Sequence, residues 1–533
     1  MNLLNKPLTD KQLRIIEAVF ILAISIFPIF FNVPFRKHLD LPYEGAYRMY
    51  LGQMPFRDFK MPLGYGFLII PWLSFKVFGP YLFTLIYAQV FINIAGAFAL
   101  RGILKILNVS AVNIFFAILV YCIAYNFIFY RPWYNHTAFT FELIGLYFLL
   151  VALFKNQVLW KNLLSYFVSA FFIFFTFFTK QDYGGLAFLL AGAILLYISI
   201  LEKKWQPIPI FFGFYFLIAL IIILPLLPYG FGYWFNHGQP PHQSRVDLRK
   251  LLDEFFGGGS MLEKGYLVAI VIIIFNYFSD FKLFIQDKVK VVFTLLALGI
   301  VLEALITKVT SRLSSDSTTY FHAIGIAYIL GNINFKANFA KLGVFVGTSL
   351  IIIIWCSSTY WQYASRFLVM ILPPSPIVQD VNAPKLPEDK VDHGHAGWRQ
   401  SSYRSLRKFT MPEQTIQGID KIMQLPVVKI KNIRVLNLSE LTMLAYEMPY
   451  TPEKNLPLWY HVGIGTFQPQ LDEMCEKINK MEYDLVLFEN IPGAPDFFPQ
   501  QARKILKEKY KMTDSFMAPR RGEEDSSIEV FVK

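Results

Sequence analysis

The stretch RKHLDLPYEGAYRMYLGQMPFRDFKMPLGYG, residues 36–66, decides how this chain is read. It follows an apolar run at 13–33 and holds three acids, Asp40, Glu44 and Asp58. A run of that length matches the ~20 apolar residues that cross a bilayer. Charge is costly beside hydrocarbon, so an acidic segment pinned between apolar runs points to a function. Tyr43, Tyr47 and Tyr50 recur at helical spacing beside Glu44. They predict an amphipathic helix lying on the membrane, with Gly52 as its terminator. A carboxylate there is near the interface and partly desolvated, as a general base must be. The plain alternative is a Glu44 that is solvated or paired with Arg48 one turn on.

Composition narrows the class. Of 533 residues, 55% are hydrophobic and 54 are Phe, which excludes an ordinary soluble domain as the whole answer. Cys122 and Cys356 lie in apolar runs and Cys475 in the polar tail, with no CxxC spacing, so neither a disulfide framework nor a zinc site is indicated. The net charge of +12 comes with many Lys and Arg flanking apolar runs, so it reads as membrane-flanking charge and not as a nucleic-acid footprint. No glycine-rich phosphate loop or dinucleotide fingerprint is present, and no soluble nucleotide site is expected. The first apolar run has no small-residue cleavage site after it and reads as a retained anchor.

Outward from the acidic segment, about eleven runs have bilayer length. They lie at 13–33, 80–104, 111–130, 136–154, 162–179, 184–201, 208–228, 262–279, 289–307, 319–333 and 342–362. The run 63–79 is shorter and carries Lys76, so it reads as a helix in the interface. With the N-terminus inside, each short inner connection is basic, for example Lys203 and Lys204, as the positive-inside rule expects. Loops 34–62 and 229–261 and everything beyond 363 then fall outside.

The expected layout is a polytopic α-helical membrane domain at 1–365, a Pro-rich linker at 366–390 and an extracytoplasmic α/β domain at 391–533. In the tail, 433–438, 483–490 and 527–533 read as strands, and 469–481 and 496–510 as helices.

The pattern E-G-A-Y…G-Q-M-P-F-R-D-F at 44–59 resembles the first external loop of the GT-C glycosyltransferases, nearest the protein O-mannosyltransferase and aminoarabinose transferase group. Many members carry an acidic pair where this chain has Tyr43 and Glu44. The resemblance therefore leaves two carboxylates for catalysis, Glu44 first and Asp40 second, with Asp58 organising the loop.

It also implies a polyprenyl-phosphate-linked sugar donor and inverting transfer to an extracytoplasmic lipid, glycan or protein acceptor. The setting would be a multi-pass protein of the inner cell membrane, surrounded by its lipids. Lys180, in T-K-Q-D-Y-G at 179–184, is the best phosphate ligand, with Arg312 and Arg131 as further cations. Asn135, His136, Asp182, Tyr320 and His322 would line the substrate site. Three of these residues have a plainer reading: Asn135 as a helix cap, Asp182 as the partner of Lys180, Arg312 as a snorkelling side chain.

No cofactor is named and no metal ligand set is assigned, though a divalent metal is left open. His237 and His242 do not fit a zinc helix, and Asp392, His393 and His395 have no evident fourth ligand. The competing reading is a transporter or flippase for lipid-linked saccharides, which many helices and buried charge would also suit. Against it stand the absence of an internal repeat and the large polar tail.

Overall fold

Apolar runs in a bilayer have no choice but to satisfy their backbone internally, and in the computed structural model they do so as helices. The structure describes residues 3–36, 38–128, 131–155, 158–236, 242, 246–311, 315–333, 336–361, 398–520 and 526–533. Arg312, the linker at 366–390, His237, and the group Asp392, His393 and His395 lie outside the described residues. The chain divides into two compact units.

The first unit comprises Met1–Phe27, Gln89–Pro225 and Ser244–Ser365. Among the described residues of the whole chain, eight helices are long and apolar enough to cross a membrane: Asp10–Phe30, Thr84–Ile106, Tyr134–Phe154, Leu159–Thr179, Gln181–Glu202, Pro207–Tyr229, Met261–Gln286 and Lys288–Ser311. This is a multi-pass membrane protein. The first helix opens on a capping box, in which the Thr9 hydroxyl accepts from the Gln12 N–H and the Gln12 side chain accepts from the Thr9 N–H.

The run at 111–130 forms the helix Ala111–Ile128, buried from Ile114 through Tyr125 against Asp10–Ile26 and His322–Asn332. Two expected spans are shorter in the structure. The region 319–333 yields His322–Asn332, 11 residues, after a 3₁₀ stretch, and 342–362 yields Leu342–Trp355, 14 residues. At ~1.5 Å per residue neither covers a ~30 Å core.

The second unit comprises Pro28–Ala88, Leu226–Gln243 and Arg366–Lys533. The acidic segment forms a helix, Asp40–Tyr50, and Gly52 follows it at φ +87°, the left-handed conformation that stops helices. A second helix, Gly66–Phe78, occupies the run read as interfacial.

The loop helix does not present a free amphipathic face. Every residue from Leu41 to Arg48 is buried, and two tyrosines anchor the helix. Tyr43 and Tyr47 stack with centroids 5.7 Å apart, the Tyr43 hydroxyl donates to Pro80 O at 2.8 Å, and the Tyr47 hydroxyl reaches Ala445 O at 3.4 Å.

Strands in this unit tie the first loop to the tail. β1 (Val33–Pro34), β2 (Trp398–Gln400) and β3 (Phe409–Pro412) form a sheet in which β1 runs parallel to β3, Val33 opposite Phe409. The other sheet is β4 (Val435–Leu438), β5 (Leu485–Asn490), β6 (Lys511–Met517) and β7 (Ser527–Val532), ordered β4-β5-β7-β6. β4 and β5 are parallel, and β7 runs antiparallel to both β5 and β6. Helices Gln468–Asn479 and Gln500–Lys509 bury Leu471, Met474, Ile478, Ala502 and Leu506 against Val486, Phe488 and Phe531 of the sheet. The tail is thus the small α/β region its alternating pattern predicts.

Candidate functional site

In the second unit each acid of the first loop has a distinct setting. Glu44, 7% exposed, is held by Arg48, whose Nε and Nη2 donate at 2.8 and 2.6 Å to the same oxygen, Oε1. Arg48 is fixed in turn through Nη1, donating to Gln53 Oε1 at 3.2 Å and Glu453 O at 2.7 Å. The i,i+4 pairing weighed from the sequence is therefore present. Burial raises the Glu44 pKa, and the facing Arg48 charge pulls it part of the way back. Among the described residues Oε2 accepts no hydrogen bond. Glu44 lines a cavity of about 20 Å³ with Val435, Asn437, Tyr450 and Tyr460, room for about one water.

Asp58 is an organiser. It accepts from Met54 N at 2.8 Å and Arg57 Nη2 at 2.6 Å, and pairs with Lys454 at 3.2 Å. Burial would push its carboxyl up, but these donors outweigh burial and hold it at about 2. Asp40 stands at the start of the loop helix, grouped with His38 and Glu440.

The first unit gathers the basic and aromatic candidates. Lys180 joins the helices Leu159–Thr179 and Gln181–Glu202, and its Nζ lies 3.3 Å from Asp182 Oδ1. Asp182 Oδ2 accepts from Thr310 at 2.6 Å and Ser311 at 3.1 Å. Beside it, Tyr183 adjoins Tyr320, and the Tyr320 ring lies 5.1 Å from that of His136. Tyr125 donates to His136 O at 2.5 Å. Asn135 and His136 are 1% exposed in the first turn of Tyr134–Phe154, and Arg131 lies over the Trp133 ring at 5.0 Å. Lys180, Asp182, His136 and Tyr320 thus belong to one contiguous region, in which His136 and Tyr320 are buried and Lys180 and Asp182 half-buried. His322 belongs to another, where its Nε2 meets Glu263 at 2.9 Å while Glu263 also pairs with Lys308 at 2.6 Å.

Sequence reading missed the buried acids. Glu142, in FTFELIG, and Glu303, in IVLEALI, are wholly buried and face each other within hydrogen-bonding reach. Glu263 with Lys308, and Glu17 with Arg101 at 2.8 Å, form further buried pairs. The usable signal was a lone acid inside an apolar span.

Solved structures share this fold. ArnT from Cupriavidus metallidurans bound to undecaprenyl phosphate aligns with a TM-score of 0.51 and 9% identity over 97% of this chain and 97% of that one. Its apo form aligns with a TM-score of 0.55 and 11% identity over 97% and 96%. Neither a family model nor a curated protein sequence matches the chain. At this identity the likeness is one of fold. It covers the membrane helices and the tail together.

Proposed function

We propose that this chain is an inverting membrane glycosyltransferase of the inner cell membrane, taking a sugar from a polyprenyl-phosphate-linked donor to a lipid, glycan or protein acceptor on the extracytoplasmic side. The observation that carries the reading is the fold, shared end to end with an ArnT crystallised on undecaprenyl phosphate. The polar region around Lys180 supports it, since ionisable groups packed among the ends of apolar spans are expensive to keep.

In the reaction the acceptor hydroxyl or amine attacks the anomeric carbon, and the bond from that carbon to the phosphate oxygen breaks. The lipid phosphate leaves with the bonding electrons, and the acceptor proton passes to a carboxylate. Lys180 and Arg131, with Arg312, are assigned to neutralise the phosphate charge that grows as the bond breaks. Asn135, His136, Asp182, Tyr320 and His322 are assigned to the substrate. Glu44 is assigned as proton acceptor through Oε2, and the Arg48 bonds on Oε1 hold the side chain in place. Asp40 is the second choice.

The test uses purified protein in detergent with a polyprenyl-phosphate sugar. Lys180→Ala should weaken polyprenyl-phosphate binding at least about tenfold, the loss of one charge-assisted contact. Glu44→Gln should keep donor binding and lower transfer by ~10²-fold or more, with Asp40→Asn costing less. A wild-type protein that binds no polyprenyl phosphate and forms no glycosylated product would sink the reading. Loss of transfer in Asp40→Asn but not Glu44→Gln would reassign the base.

A further inference from the structure

His38, Asp40 and Glu440 each place a ligand atom within 4.8 Å of the others. The three come from distant parts of the chain, yet all lie in the second unit. Glu440 follows β4 and Glu489 lies near the end of β5, so both acids stand at the carboxyl edge of the parallel strand pair. In open α/β sheets that edge is where ligands are received.

Glu440 is wholly buried, and its carboxylate is only half used. Oε1 accepts from His38 N at 2.9 Å and pairs with Arg520 Nη2 at 3.0 Å, while Oε2 has no hydrogen-bond partner among the described residues. A buried carboxylate oxygen left without a donor calls for an explanation, and an ion is one of the few available. Around this core Glu489 accepts from Glu440 N at 2.7 Å and pairs with Arg520. Glu440 and Glu489 therefore share the Arg520 guanidinium while Asp40 stands beside Glu440, and a divalent cation would offset the excess negative charge.

We propose that His38, Asp40 and Glu440 bind a divalent transition-metal ion, with Zn²⁺ the best fit, at the carboxyl edge of β4 and β5. One imidazole and two carboxylates match a three-ligand zinc site with a fourth position left to water. The imidazole argues against Mg²⁺ and Ca²⁺, which take oxygen ligands. Metal–ligand bonds of ~2 Å place ligand atoms no more than about 4 Å apart, so small side-chain rotations close the set. Glu489 and Arg520 then orient Glu440 from behind, as outer partners of metal ligands do. The ion would clasp the start of the loop helix to the tail, which goes beyond the transferase reading and does not depend on it.

The test is metal content. Full-length protein in detergent is stripped with a chelator, dialysed against Zn²⁺ and assayed by elemental analysis and by competition with a chromophoric chelator. The wild type should hold about one Zn²⁺ per chain that excess Mg²⁺ does not displace. His38 has φ 67°, so His38→Asn removes the imidazole while keeping a residue tolerated in that conformation. His38→Asn and Glu440→Gln should each weaken Zn²⁺ binding at least about tenfold, with the size-exclusion profile and helical circular dichroism of the wild type. A double His393→Ala, His395→Ala variant should retain the ion. The proposal falls if the stripped wild type takes up no Zn²⁺, if well-folded His38→Asn and Glu440→Gln bind it like the wild type, or if binding is lost with His393 and His395. None of these readouts involves donor or transfer, so the transferase reading stands or falls separately.

Discussion

Two buried polar clusters in the helical unit use the same kinds of residue and are finished differently. Around Glu263 one carboxylate oxygen meets Lys308, and the other meets Thr318 and His322. Around Glu142 and Glu303 the carboxylates face one another, and the Glu142 oxygens have no other hydrogen-bond partner among the described residues. A satisfied network repays its burial and locks helices together. A pair of acids without donors repels unless a proton is shared, and repays nothing in stability. The contrast separates polar groups that hold the helices from polar groups kept for what they do.

The largest effect should come from opening the satisfied network. Glu263→Ala leaves the Lys308 ammonium buried without its carboxylate, and should cost about 3 kcal/mol or more in unfolding of the purified protein in detergent. Glu142→Gln and Glu303→Gln should each change stability by less than about 1 kcal/mol, because no existing donor is stranded. Equal losses in both clusters would erase the distinction. Stable Gln variants with reduced transfer would sharpen it.

Asp58 extends the same logic to the second unit. Its folded pKa of about 2 lies below the ordinary 3.8, so its stabilisation is present above that ordinary value and is lost as pH falls through the folded one. Acid unfolding of Asp58→Asn should therefore be flatter than that of the wild type over this window, and added salt should shrink the difference. Smallest of all, Gly52→Ala meets no atom within 4 Å and is strained only through its φ of +87°, a cost of roughly 1 kcal/mol read as a shift in unfolding midpoint.

Much of this architecture was legible because its signals are local. Hydropathy located the long spans, the Tyr43, Tyr47 and Tyr50 spacing with Gly52 located the loop helix, and alternation located β4, β5 and β7. β6 escaped because KMTDSFM alternates weakly and begins directly at the end of a helix. β1 escaped because two residues become a strand only through Phe409 and Thr410. The site was less legible for the same reason. Glu44 and Arg48 are one turn apart and their pairing could be weighed in advance. Glu142 with Glu303, or Asp40 with Glu440, meet only through the tertiary fold, and nothing in their own neighbourhoods announces the partner.

The bond from His38 N to Glu440 joins residues 402 positions apart, and the pairing of Val33 with Phe409 is of the same order. This has a consequence for biosynthesis. At roughly 5–20 residues per second, the nascent loop waits on the order of half a minute for the tail that completes it. In that interval the Glu44–Arg48 pair lacks the Glu453 carbonyl and β1 lacks its neighbour. A chain stalled before residue 409 would display an unfinished strand edge to the quality-control machinery of the membrane, whatever the state of its inserted helices.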